Sequence, residues 1–231
     1  MAVITGTSGA DTLADTSGND TINGLAGNDT VNGGSGGTDV VNGGDGRDSL
    51  QFMTATSGIV ADFVAGTVTG GDSGTTSFTN IEKLVGSEFD DLLTGNAAAQ
   101  NLTGRHGQDT LWGAGGNDTL WGGGDGNTFI FRETGTANAD TIGDWNSGSD
   151  EFALDNAAMG ALGADGDFVA GDARFWASST GLAHDANDRV IYNTTTRSLY
   201  YDADGTGSGA AQLIATLQAG ATVVATDISV I

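Results

Sequence analysis

GRHGQDTLW, GAGGNDTLW, GGGDGNTFI: residues Gly104–Ile130 write one nine-residue unit three times, starting at Gly104, Gly113 and Gly122. Each copy opens on a glycine-rich hexad and carries Asp109, Asp118 or Asn127 at its sixth place. Each puts an apolar residue, Leu111, Leu120 or Phe129, at its eighth. The physical sense of the unit is legible. Glycine lets the backbone turn tightly through positive φ and aim its carbonyl oxygens inward. The short Asp carboxylate offers a hard oxygen ligand of the kind calcium prefers. The last three residues make a strand whose middle side chain enters the core.

The same unit starts upstream at Gly6 (GTSGADTLA), Asp15 (DTSGNDTIN), Gly24 (GLAGNDTVN), Gly33 (GGSGGTDVVN, one residue too long) and Gly43 (GGDGRDSLQ). The sixth-place carboxylates there are Asp11, Asp20, Asp29, Asp39 (displaced by the insertion) and Asp48. The core residues are Leu13, Ile22, Val31, Val41 and Leu50. Two further units start at Gly86 (GSEFDDLLT, with Asp91 and Leu93) and at Gly95 (GNAAAQNLT, with Leu102). The second of these has Gln100 in place of Asp.

Composition fits a cation-binding role. The formal charge is −23, from 30 acidic and 7 basic residues, and only Glu82, Glu88, Glu133 and Glu151 are Glu. A solvated helical face would favour Glu, whereas Asp belongs in turns. Such a charge makes nucleic acid and an anionic membrane surface poor partners. The chain has no Pro, which would interrupt stacked strands, and no Cys, so bound metal takes over the role of disulfide staples. No apolar run reaches membrane-spanning length, and MAVITGTSGADTLA lacks the basic and apolar regions of a cleavable signal peptide.

An in-register array of this unit resembles the RTX, or hemolysin-type calcium-binding repeat, family. The resemblance implies an all-β fold: a parallel β-roll, a β-helix solenoid in which successive nonapeptides alternate between two facing sheets. Asp11, Asp29 and Asp48 then stack on one edge, and Asp20 and Asp39 on the other. It implies Ca2+ held between stacked loops by the carboxylates of Asp11, Asp20, Asp29, Asp39, Asp48, Asp91, Asp109 and Asp118, with Asn127 in the same place. Backbone carbonyls complete the ligand set, at Gly24, Gly27, Gly33, Gly36, Gly43, Gly46, Gly104, Gly107, Gly113, Gly116 and Gly122.

Between the two runs of repeats, residues 52–85 lose the Asp signal and alternate apolar with small polar residues, with turns at Ala65-Gly66 and Gly70-Gly71. The segment is near four nonapeptides long, which predicts metal-poor strands that continue the roll. Residues 1–130 are thus expected to form the roll, with repeats at 6–51 and 86–130. Residues 131–231 are expected to form a β-rich cap. ADTIGDWNSGSDEFALDN resembles the segment that closes the roll in serralysin-type C-terminal domains. Asp140, Asp144 and Asp150 offer a last ion site there, with turn capping as the competing role. A short helix is expected around Asp155–Leu162, then a hairpin, Arg189–Asn193 with Ser198–Tyr201. In its exit, YDADGTGSG, Asp202 and Asp204 precede Gly205 as a small calcium loop. It is not an EF-hand, since Leu213 stands where the bidentate Glu is required. The terminal DISVI resembles the uncleaved type I secretion signal of RTX proteins, and a buried last strand is compatible with that reading.

Enzyme signatures fail on context. Gly33–Gly37 satisfies G-x-S-x-G inside a repeat loop, away from any strand-to-helix elbow. Gly71-Asp72-Ser73-Gly74 matches a serine-protease tetrad, but His106 and His184 lack the partners and chain order of a triad. His106 falls at a variable loop place and reads as an exposed passenger. Packing under a neighbouring segment outweighs sugar stacking as the role of Trp112 and Trp121. The expectation is a non-enzymatic, secreted, calcium-binding RTX protein that folds on calcium outside the cell. Its partners would be the type I secretion apparatus and a cell-surface polysaccharide or other matrix component, in a structural or adhesive role. The rival expectation is the folding-and-secretion module of a larger secreted enzyme: a protease, lipase or epimerase.

Overall fold

The computed structural model describes residues 1–34, 36–71 and 74–231. The serine of the G-x-S-x-G match (Ser35) and Asp72 and Ser73 of the tetrad lie outside the described residues. The described residues form two large sheets, of 12 and 11 strands, and successive strands of the repeats fall in opposite sheets. This is the parallel β-roll. A strand of three or more residues places its middle side chain on one face, so the eighth-place residues of every unit meet between the sheets.

In one sheet the inward rungs run Ile4, Ile22, Val41 and Phe78 in register, and further along Leu93, Leu111, Phe129, Phe152 and Ile228. In the other they run Leu13, Val31, Leu50, Leu84, Leu102, Leu120, Ile142 and Leu217. Ile22, Val31, Leu50, Leu93, Leu102, Leu111 and Leu120 are 0% exposed. Each such side chain contributes about 1.5–3 kcal/mol by leaving water. One continuous hydrophobic core extends from Ile22 to Val230.

Residues 52–85 do continue a sheet, though in a different manner from repeat coils. Ile59–Asp62, Thr67–Gly70 and Thr75–Thr79 form an antiparallel meander inserted into the first sheet between Asp39–Asp45 and Leu92–Thr94. The expected turns at Ala65-Gly66 and Gly70-Gly71 reverse the chain, and so short a connection permits only antiparallel pairing. The second sheet bypasses the insertion, since Ser49–Gln51 pairs directly with Lys83–Val85.

Neither sheet breaks at residue 130. Asp140–Ile142 adds in parallel to Thr119–Gly123, and Glu151–Leu154 adds to Thr128–Phe131. Residues 135–143 and 145–153 are two further coils, with Asp140 and Asp150 at their sixth places and Ile142 and Phe152 at their eighth. The boundary expected there corresponds to no structural seam. The predicted helix is replaced by turns and a single 3-10 turn, Gly160–Leu162. Gly160 inside the turn and Gly163 just after it make helix extension costly. The hairpin forms as Val190–Asn193 with Ser198–Tyr201, and Gln212–Leu217 joins it to the second sheet beside Asp140–Ile142. Ile228–Val230 lies buried in the first sheet, parallel to Phe152–Leu154.

Candidate metal centre

Each loop places its sixth residue at the sheet edge, where its backbone amide faces the coil that follows. On one edge the Asp11 amide donates to Asp29 Oδ1 (2.8 Å), Asp29 to Asp48 Oδ1 (2.7 Å), and Asp48 to Glu82 Oε2 (2.9 Å). After the insertion Ile59 donates to Asp91 Oδ1 (2.8 Å), Asp91 to Asp109 Oδ1 (2.9 Å), Asp109 to Asn127 Oδ1 (3.0 Å), and Asn127 to Asp150 Oδ1 (3.0 Å). The opposite edge carries Asp20 to Asp39 Oδ1 (2.8 Å), Gln100 to Asp118 Oδ1 (2.7 Å), and Asp118 to Asp140 Oδ1 (2.9 Å). One oxygen of each carboxylate therefore ties coil to coil.

The second oxygen divides the loops into two groups. Asp29 Oδ2, Asp48 Oδ2, Asp109 Oδ2 and Asp118 Oδ2 are buried and have no hydrogen-bond partner. Each faces the first glycine of its own loop, beside an oxygen of the following coil. A Cβ built on Gly24 would collide with Asp29 Oδ2 and the Gly43 carbonyl oxygen; one on Gly43 would meet Asp48 Oδ2 at 2.5 Å and collide with the Asn80 carbonyl oxygen. At Gly104 the pair is Asp109 Oδ2 and the Gly122 carbonyl oxygen, the latter 2.7 Å away, and at Gly113 it is Asp118 Oδ2 with Asp140 Oδ2, the latter 2.8 Å away. A buried ionised carboxylate without a donor is costly, and convergent carbonyl and carboxylate oxygens are the donor set of Ca2+. The residues fit the ion.

Asp11, Asp20, Asp91 and Asp150 differ: Oδ2 of each already accepts an amide of its own loop, from Thr7 (2.5 Å), Thr16 (2.7 Å), Ser87 (2.7 Å) and Asn146 (2.7 Å). Gln100 is closed likewise by Asn96 (3.1 Å). Asn127 turns its Nδ2 toward Gly122, at 2.5 Å from a Cβ placed there, and so presents a donor where Asp presents an acceptor. Asp144 spends its two oxygens on the amides of Gly122 (2.9 Å) and Gly123 (2.7 Å). Among the expected carbonyl donors, Gly33 packs on the Phe52 ring. Gly27, Gly46, Gly107 and Gly116 have positive φ and lie against the backbone of the coil before, where no side chain fits; Gly36 also has φ of 91°.

Asp202 and Asp204 do not converge. Asp202 Oδ1 caps the amides of Asp204 (3.1 Å) and Gly205 (2.9 Å), and Asp204 Oδ2 takes the amide of Gly209 (2.9 Å). The adjoining loop holds a cluster that sequence reading missed: His184, Asp185 and Asp188 bring ligand-type atoms within 4.8 Å of one another. Asp188 Oδ2 accepts the amides of His184 (2.6 Å) and Asp185 (3.1 Å) and contacts His184 Nδ1 (2.9 Å), while Trp176 stacks on the imidazole. The signal was there, since AHDANDRVI repeats the phase of the nonapeptide from Ala183 with Asp188 sixth and Val190 eighth.

Electrostatics follow burial. Burial pushes the Asp109 carboxyl up to about 7, and the negative charges of Asp91, Asp90 and Asp125 act in the same direction. Asp118 and Asp140, facing one another, are both raised, first by burial. The Thr16 hydroxyl, by contrast, holds Asp20 below the ordinary carboxylate range. Trp112 is covered as expected: Arg132 lies 4.5 Å from its ring centroid, and its indole donates to Glu133 (3.1 Å).

No curated protein matches the chain. Two solved structures align along nearly all of it. The extracellular lipase LipA of Serratia marcescens is 19% identical over 97% of this chain and 39% of its own length, with a TM-score of 0.31. The AlgE6R3 subunit of the Azotobacter vinelandii mannuronan C5-epimerase is 19% identical over 96% of this chain and 79% of its own, with a TM-score of 0.23. The chain thus spans about two fifths of the lipase's length. Residues 5–37, 34–51 and 94–129 match the family model of the RTX calcium-binding nonapeptide repeat, and these stretches hold the unpartnered oxygens of Asp29, Asp48, Asp109 and Asp118. This chain carries RTX calcium-binding nonapeptide repeats in those stretches.

Proposed function

We propose that the protein leaves the cell unfolded through a type I secretion apparatus and closes its roll on calcium outside. There it serves a structural or adhesive role, without catalysis of its own, against a surface polysaccharide or another matrix component. The observation that carries this reading is the set of four buried, donorless carboxylate oxygens, each set against an oxygen of the next coil. Without a cation these groups oppose compaction of a chain whose formal charge is −23. An extracellular affinity near ~10⁻⁴–10⁻³ M would leave the roll open at cytosolic calcium and closed outside. Circular dichroism in chelator and in millimolar calcium tests the folding step, with a full β signal in chelator as the outcome against it. Binding of the calcium-loaded protein to cells and to purified polysaccharide tests the role.

A further inference from the structure

We propose that the second residue of each loop decides whether that loop takes a calcium ion: Ser, Thr or Asn seals the carboxylate with the chain's own donors, and a residue held at positive φ leaves it open. The inference rests on the calcium reading above and sorts the chain's loops within it.

Loops 86–91 and 104–109 are a matched pair, on the same edge in consecutive coils. At Gly86 the position of a Cβ is bracketed by Asp91 Oδ2 and by the Gly104 carbonyl oxygen at 2.8 Å; at Gly104 it is bracketed by Asp109 Oδ2 and by the Gly122 carbonyl oxygen at 2.7 Å. Both Oδ1 atoms accept an amide from the coil before, at 2.8 and 2.9 Å. The oxygen cradle is the same in both loops.

The second residue is what differs. Ser87 is fully buried; its amide sits 2.7 Å from Asp91 Oδ2 and its hydroxyl 2.7 Å from Asp91 Oδ1. Arg105 has φ of 100°, gives Asp109 no such amide, and Asp109 Oδ2 has no partner. A donor in the first loop stands where the second offers a bare acceptor. A cation entering the first must break bonds already made, whereas in the second only a cation or a proton satisfies the oxygen.

The division holds at other loops, and the coil at 135–143 departs from it, since Asp140 Oδ2 lies beside Asp118 Oδ2 at Gly113 and Thr136 does not seal it. Thr7 and Thr16 seal Asp11 and Asp20 with amide and hydroxyl, Asn96 seals Gln100, and Asn146 seals Asp150. Leu25, Gly44, Arg105 and Ala114, all at positive φ, precede the unpartnered oxygens of Asp29, Asp48, Asp109 and Asp118. Each run of repeats opens on two sealed loops, at Thr7 and Thr16 and at Ser87 and Asn96, before the open ones. The sealed loops close without metal and present a formed edge to the first ion-dependent coil.

Two exchanges test the assignment, with bound calcium per chain measured by equilibrium dialysis and the residual β signal in chelator measured by circular dichroism. Ser87→Gly removes the seal and is expected to bind one ion more and to keep less β signal in chelator. Ala114→Ser installs a seal over Asp118 and is expected to bind one ion fewer and to keep more β signal in chelator. Ser87→Thr keeps both donors and reports that the site tolerates exchange by matching the wild type. An unchanged ion count in both variants, with the wild type binding calcium, overturns the proposal. A wild type that binds no calcium overturns the calcium reading instead, and a residual β signal that neither variant shifts then overturns the seal as well.

Discussion

The amide of Asp91 donates to Asp109 Oδ1 over 2.9 Å, and Asp109 Oδ2, on the same carboxylate, is buried without a donor. One oxygen holds adjacent coils together and the other faces the glycine cradle. Asp109→Asn separates these tasks, because the amide oxygen keeps the first and the charge is lost from the second. A charge-assisted ligand is worth about 1.5–3 kcal/mol. The calcium midpoint of folding is therefore expected to rise about tenfold or more. Gln100→Ala removes a side chain bonded only to Asn96 within its loop. It should cost about 1 kcal/mol of stability with or without calcium. Its calcium midpoint should rise far less than that of Asp109→Asn, since no ion ligand is lost. Equal midpoint shifts from the two variants, read by titration under circular dichroism, would contradict the assignment.

Proton and calcium compete for the same oxygens, which sets the pH dependence. The folded-state carboxyl of Asp109 lies near 7 against an ordinary 3.8, and Asp118 and Asp140 are raised as well. A raised folded pKa means that the fold binds protons which the open chain has already released. Ion-free stability is therefore fullest below about pH 4 and falls as pH rises through about 7. The residual β signal in chelator should be larger at pH 5 than at pH 8, and saturating calcium should reverse that order. An ion-free β signal that grows from pH 5 to pH 8 would refute the sign.

Leu25 holds φ of 81° on a half-exposed side chain. Left-handed backbone costs a non-glycine residue about 1–2 kcal/mol. Leu25→Gly should leave calcium-loaded stability equal or improved, since relief of that cost offsets the extra freedom of the open chain. Leu25→Val adds β-branching at the same φ and should lower the melting temperature by several degrees, about 1 kcal/mol in a chain of this size. Scanning calorimetry of the pair decides it, and a Val variant more stable than the Gly variant would mean that the second place is not strained.

The period of nine was sufficient for the roll, because an apolar residue every ninth place leaves one way to bury Leu102, Leu111 and Leu120 together. It was blind where a coil keeps its phase but loses its glycines. Asp140-Thr-Ile142 and Asp150-Glu-Phe152 keep the spacing from acid to core residue, yet the roll was expected to stop before them. Alternation over residues 59–79 says strand without saying parallel or antiparallel, and only the tight turns carry that information. The carboxylates were found by type, but type does not tell Asp91 from Asp109. What separates them is Ser87 against Arg105, a side-chain donor against a backbone torsion, and the first of those was readable in the letters.

Asp227 Oδ2 accepts the Ser147 hydroxyl at 2.7 Å, Oδ1 accepts the Gly148 amide at 3.2 Å, and Ile228–Val230 continues from it as a buried strand. The end expected to be read for export is thus inside the fold. Burying Ile228 and Val230 contributes about 1.5–3 kcal/mol each. That is a large share of a typical total of about 5–15 kcal/mol. A chain cut after Thr226 is therefore expected to lose the β signal even in saturating calcium, and retention of that signal would sink the structural claim. Export then has to be tested on a variant that folds. Asp227→Asn keeps an oxygen acceptor for the Ser147 hydroxyl, so purified protein should still close on calcium. If the acidic side chain at this end is part of what the apparatus reads, the Asn variant should be retained in producing cells while the wild type appears in the medium. Equal amounts of both in the medium would remove Asp227 from the signal.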